Sequence, residues 1–127
     1  MPKFTYSAAK GIEQSSGSGF IVADVPVIED VETKTGAPLA LQAWGTSIVS
    51  GANDFTLAAG TYVGQTKTIL CGTFQSTTRV LSSVMMKVNG DDASTGLTFS
   101  ADGESWVGMW NGTRWVPLNV NTGGSLA

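Results

Sequence analysis

The chain has 127 residues, 42% of them apolar, which allows one domain with a real core and argues against wholesale disorder. Only 13% are charged, the formal charge is −3, and the seven cations are scattered singly, so no basic patch exists for gripping nucleic acid. Histidine is absent and Cys71 is the lone cysteine. That excludes Ser–His and Cys–His nucleophilic pairs, His metal sites, thiolate zinc sites and an intramolecular disulfide.

Residues 1–19, "MPKFTYSAAKGIEQSSGSG", combine a few anchors with a Ser/Gly tract. They are expected to form an extended arm, ordered where another surface receives Phe4, Tyr6 and Ile12. The opening lacks the basic start and continuous apolar block of an export signal, and no apolar run approaches the ~18 residues of a membrane helix. Residues 20–120 carry the pattern of a single all-β domain. Phe20–Val25 is a short apolar run ended by Pro26. Glu29, Asp30 and Glu32 are the densest charge and suit a solvated edge or turn. Leu39–Val49 alternates in part, with a bulge or close approach expected at Gly45. Phe55–Ala59 and Lys67–Cys71 follow, separated by the Gly-containing connection "GTYVGQ". Thr77–Val88 is the longest candidate, with a bend expected at Ser82–Ser83. Asn89–Gly96 is a turn cluster, and Leu97–Ser100 closes the series. Short strands between turn signals predict a compact β-sandwich or jelly-roll-like barrel of antiparallel strands. Residues 121–127 are expected to be a flexible tail.

The segment "WVGMWNGTRWV" holds three of the four tryptophans. Asn111-Gly112 between apolar runs predicts a two-residue hairpin turn, because both central residues of such a turn need φ > 0. That register sets Trp110 opposite Thr113 and Gly108 opposite Trp115. One face then carries Trp106, Gly108, Trp110 and Trp115; the other carries Val107, Met109, Val116 and Leu118. The second face is expected to fill the core, leaving the indoles to be covered by another sheet, another subunit or a ligand. Leaving three indoles in water would forfeit on the order of ten kcal/mol, so some cover is required.

Chemistry-bearing motifs are scarce. No phosphate-binding loop, dinucleotide fingerprint or nucleophile elbow occurs. Asp91, Asp92, Asp102 and Glu104 are the carboxylates a hydrolase could use, and all lie in turns where acidic residues are expected. Asn89, Asp91 and Asp92 lack the order of a calcium loop. The expectation is a protein that is not an enzyme, with no cofactor and no metal.

"LAAGTYVGQTKTI" (57–69) and "GLTFSADGESWVGMWNGTRWVPL" (96–118) together resemble a β-module recurrent in tailed-phage virion proteins. "FTYSAAKGIEQSSGSGF" is similar to the opening of small phage head proteins of the decoration, or cement, type. Trp106 and Gly108 depart from the more usual apolar alternation of that module. The resemblance implies a capsid decoration subunit, made in the host cytoplasm and bound to the outer surface of the virion's capsid lattice. Its implied partners are the major capsid protein and copies of itself, a trimer rather than a dimer, with neither nucleic acid nor membrane. The contact residues it suggests are Phe4, Tyr6, Ile12 and Phe20 on the arm, which could add a strand to a neighbouring sheet. Trp106, Gly108, Trp110 and Trp115 would form the sheet or subunit seam. A head-fibre or tail-fibre module, and a carbohydrate-binding sandwich using the hairpin tryptophans as a stacking platform, are the alternatives.

Overall fold

The computed structural model describes residues 31–93 and 96–119 in full, and the backbone alone of residues 4–7, 11–14, 21–22, 25–26 and 125–126. All of its regular structure is strand, as the frequent β-branched runs and turn signals require. In chain order the strands are β1 (Phe4–Ser7), β2 (Gly11–Gln14), β3 (Ile21–Val22), β4 (Val25–Pro26), β5 (Val31–Lys34), β6 (Ala40–Leu41) and β7 (Gly45–Ser50). There follow β8 (Asp54–Leu57), β9 (Thr66–Thr73), β10 (Arg79–Leu81), β11 (Leu97–Thr98), β12 (Ser105–Trp110), β13 (Trp115–Pro117) and β14 (Ser125–Leu126).

Two five-stranded sheets dominate, ordered β13-β12-β9-β7-β5 and β14-β11-β10-β8-β6. From β5 to β10 the chain alternates between them, so strands two apart pair in parallel: β5 with β7, β7 with β9, β6 with β8, and β8 with β10. Each sheet is then finished by two antiparallel strands. The expectation of purely antiparallel strands, and of a barrel, is therefore corrected: both sheets are mixed and neither closes on itself. The reason lies in the connections. Leu39–Val49, read as one strand, is two, and the short Gln42–Trp44 crossover carries the chain from one sheet to the other. Gly51, at φ 90°, turns it back, with Asn53 N–H donating to its carbonyl at 3.0 Å. Alternation along a strand says which face is buried but not which strand is its neighbour.

One hydrophobic cluster draws on both sheets, with Val49, Ile69, Cys71, Trp106, Trp110 and Trp115 from the first and Leu41, Phe55, Leu57, Val80 and Leu97 from the second. Strand β7 buries every second residue, and so does β9 from Lys67 to Cys71, the period-two pattern of one face turned inward.

Near the N-terminus, Phe4–Ser7 pairs antiparallel with Gly11–Gln14, Tyr6 opposite Ile12. Ser125–Leu126 pairs with Leu97–Thr98, so the tail's last strand belongs to the second sheet. Phe20 lies outside the described residues.

A candidate site over the tryptophan hairpin

The hairpin β12–β13 is built two residues away from its predicted register. Trp110 faces Trp115, Met109 faces Val116 and Gly108 faces Pro117. Asn111 is the cause. Its Oδ1 accepts from the N–H of Thr113 at 2.9 Å and of Arg114 at 2.7 Å, so the side chain does what a backbone carbonyl would do in a tighter turn. The positive φ, 100°, falls on Gly112, where glycine carries no Cβ penalty. The shift moves every pair by two, an even number, so the partition of side chains between faces survives.

The faces themselves are assigned the other way round. Trp106 and Trp115 are fully buried and Trp110 is 6% exposed, whereas Leu118 on the opposite face is 54% exposed. Trp115 meets Trp106 and Trp110 edge to face, at centroid distances of 6.5 and 5.4 Å. Gly108 allows this packing, because the ring of Trp106 lies where its Cβ would be. The indoles are covered by their own chain, and they are neither exposed nor coplanar. Of the covers expected for Trp106, Gly108, Trp110 and Trp115, the seam between the chain's own sheets is the one seen, since all four are buried and the three indoles join the cluster drawn from both sheets.

What the indoles do instead is hold the loop between β8 and β9. Trp115 Nε1 donates to the carbonyl of Ala58 at 2.9 Å. Gly60 lies against the ring of Trp110, which would collide with any added Cβ. Gly64 N–H donates to Trp110 O at 2.8 Å, and Trp110 N–H donates to Gln65 O at 2.8 Å. The two segments that carry the phage resemblance are thus packed on each other, β9 lying beside β12 with Ile69 opposite Trp106.

The tip of that loop is exposed and aromatic. Tyr62 and Val63 are each 75% exposed, and Trp44, the one tryptophan outside the hairpin, is 56% exposed. Trp44, Thr61, Tyr62 and Gln65 line an open cleft of about 350 Å³. Its walls are held by polar groups, Gln65 half-buried and Lys67 fully buried. The Gln65 carboxamide oxygen accepts from the N–H of Thr61 at 2.8 Å and of Tyr62 at 3.1 Å, and its nitrogen donates to Ala43 O. Lys67, fully buried on β9, donates through Nζ to Trp44 O at 3.1 Å and to Ser47 Oγ at 2.5 Å, with Glu32 Oε1 at 3.9 Å. Ser47 Oγ in turn donates to Glu32 Oε1 at 2.5 Å, and the same oxygen accepts from Gln42 N–H at 2.8 Å. The lysine stem has room because its partner across β7 is Gly45. Crossover and loop are therefore tied down on either side of the cleft.

Nothing local in the sequence marks this cleft, since "GTYVGQ" reads as a connection and Trp44 as part of a strand. A signal existed only for its lysine: Ile69 and Cys71 face inward, so alternation already placed Lys67 on the core face.

The acidic candidates have structural partners. Asp92 pairs with Arg114 at 2.6 Å, and Asp91 Oδ2 accepts from Asn89 Nδ2 at 2.7 Å. Asp102 accepts the N–H of Phe74 at 2.6 Å, and Glu104 accepts the N–H and hydroxyl of Ser100, both at 2.6 Å. The Ser100 hydroxyl and N–H hold the Glu104 carboxyl below its ordinary range. Burial pushes the Cys71 thiol up, and the nearby Asp102 and Glu104 add to it. Among the described residues no group of three metal-binding side chains converges. Compared with known protein families and with curated proteins, the chain matches none of them.

Proposed function

We propose that this chain is a virion structural subunit, a capsid decoration protein that binds the outer surface of a tailed-phage capsid and stabilises it. In this reading its two sheets form a β-sandwich, its partners are the major capsid protein and its own copies in a trimer, and it carries out no catalysis. The resemblance of residues 57–69 and 96–118 to a phage virion module supports it, as does the use of the candidate carboxylates in turns and ion pairs.

The observation that carries the reading is an open edge. Among the described residues, strand β5 pairs with β7 alone and ends the first sheet. Val31 on it is 54% exposed. Such an edge offers unpaired backbone groups to a neighbour's strand, and contacts of this kind repeated over a lattice hold by avidity. In this reading the capsid contact expected of the arm is shared by the edge of the first sheet.

Cosedimentation with expanded empty heads of the encoding phage tests this, using the full chain, the chain lacking residues 1–19, and Thr33→Lys on the edge. The expected result is binding by the full chain and loss in both variants. Equal binding by the shortened chain would remove the arm from the mechanism, and no binding by any form would remove the function. The parallel winding of β5 to β10 favours a second reading, a head-fibre or tail-fibre module, since such coils stack along an axis. Antibody labelling of virions in the electron microscope separates the two by position.

A further inference from the structure

We propose that the cleft between Trp44 and Tyr62 binds an uncharged pyranose ring of an oligosaccharide. The inference stands apart from the capsid reading, because it rests on this cleft alone.

Four observations lead there. The first is exposure. Two large aromatic side chains, 56% and 75% exposed, line one cleft in a chain that buries its three other indoles almost completely. The second is rigidity. A fully buried lysine fixes the carbonyl of Trp44, while the Gln65 amide fixes the backbone of Ala43, Thr61 and Tyr62. A preorganised site loses little entropy when it is filled. The third is charge. Trp44, Thr61, Tyr62 and Gln65 are all neutral, so nothing in the lining matches a phosphate, a carboxylate or an ammonium group. The fourth is size. Trp44 and Tyr62 together offer roughly 200–330 Å², taking ~150–250 Å² for a whole aromatic side chain. A stable protein partner takes about 800 Å² from each side, so this patch is too small to hold one alone. At about 350 Å³ the cleft is in the range of small-ligand sites.

A pyranose meets these conditions. It has an apolar C–H face that lies against the electron-rich face of an indole or phenol, and a rim of hydroxyls for polar neighbours. The Thr61 and Tyr62 hydroxyls stand on the exposed loop to meet that rim. A quaternary ammonium group would also favour aromatic faces, but its sites are cages of several rings, and this cleft has two.

The test uses the full chain, dye-labelled, on a glycan array spanning neutral hexose and N-acetylhexosamine oligosaccharides together with sialylated and sulfated ones. Acrylamide quenching of tryptophan emission, with and without the best array ligand or choline, supplies a second readout in which Trp44 is the accessible indole. The expected result is saturable binding to neutral glycans and protection of Trp44 from acrylamide. Trp44→Ala and Tyr62→Ala should each weaken binding on the order of tenfold or more, with unchanged melting temperatures. Val63→Ser, outside the cleft lining, should stay within about twofold of the parent. Binding confined to acidic glycans, protection by choline alone, no binding at all, or binding indifferent to both aromatic substitutions would each overturn the proposal.

Discussion

Replacing Lys67 with methionine tests whether a buried cation holds the aromatic cleft in shape. The substitution keeps an unbranched chain of similar length and removes the ammonium group, which is fully buried. Lost with it are the hydrogen bonds to Ser47 Oγ at 2.5 Å and Trp44 O at 3.1 Å, and the ion pair with Glu32 at 3.9 Å. Breaking a fully buried pair from one side costs about 3–5 kcal/mol. The cost here is smaller, because the Glu32 side chain is 18% exposed and keeps Lys34 at 3.7 Å, Gln42 N–H and Ser47 as partners. A loss of about 2–3 kcal/mol follows. With an unfolding entropy of about 2.1 cal/mol/K per residue, that lowers Tm by about 7–11 °C. Circular-dichroism melts and urea titrations measure it. Adding Glu32→Gln to Lys67→Met removes the carboxylate left behind, so the double variant should recover about 1 kcal/mol relative to additivity. A single variant melting within about 2 °C of the parent would refute the view that this network holds the fold at the cleft.

Three further outcomes are expected. Gly108→Ala puts a Cβ into the buried ring of Trp106, which should cost about 1–3 kcal/mol by overpacking and show as a lower urea midpoint with an unchanged slope. Cys71 is fully buried with its thiol pushed up, so iodoacetamide at mildly alkaline pH should label it only after denaturant is added; rapid labelling of the native chain would contradict the packing. The Glu104 carboxyl, held below its ordinary value of 4.5 by the Ser100 hydroxyl and N–H, contributes stability that is present above that pH and lost as pH falls through the lower folded value. Melting temperature should therefore decline on the acid side, and Glu104→Gln should flatten that limb; parallel curves for the two proteins would show that this carboxylate does not contribute.

The strand content was legible in the sequence because alternation and turn residues are local signals. Leu81 ends β10 where the Ser82–Ser83 bend was expected, but of the long Thr77–Val88 candidate only Arg79–Leu81 is a strand. The partition of the hairpin's residues between two faces was legible too, since side-chain alternation survives an even slip. Which face would be inside was not. Both faces are apolar, and the choice depended on Gly108 leaving space for one ring and on Ala58 offering a carbonyl to another. Strand pairing was equally out of reach. Val31 lies beside Thr46, and Arg79 lies beside Asp54, through parallel crossovers that no local pattern encodes.

Composition alone removed histidine chemistry, thiolate metal sites and an internal disulfide, because absent atoms cannot act in any fold. It could not say which tryptophans meet water. Exposure belongs to the packed whole: three indoles close together in the chain were drawn into the core, and Trp44 was left outside by a crossover tied to a buried lysine far along the sequence. Local chemistry decides what each residue can do, and the meeting of distant strands decides where it does it.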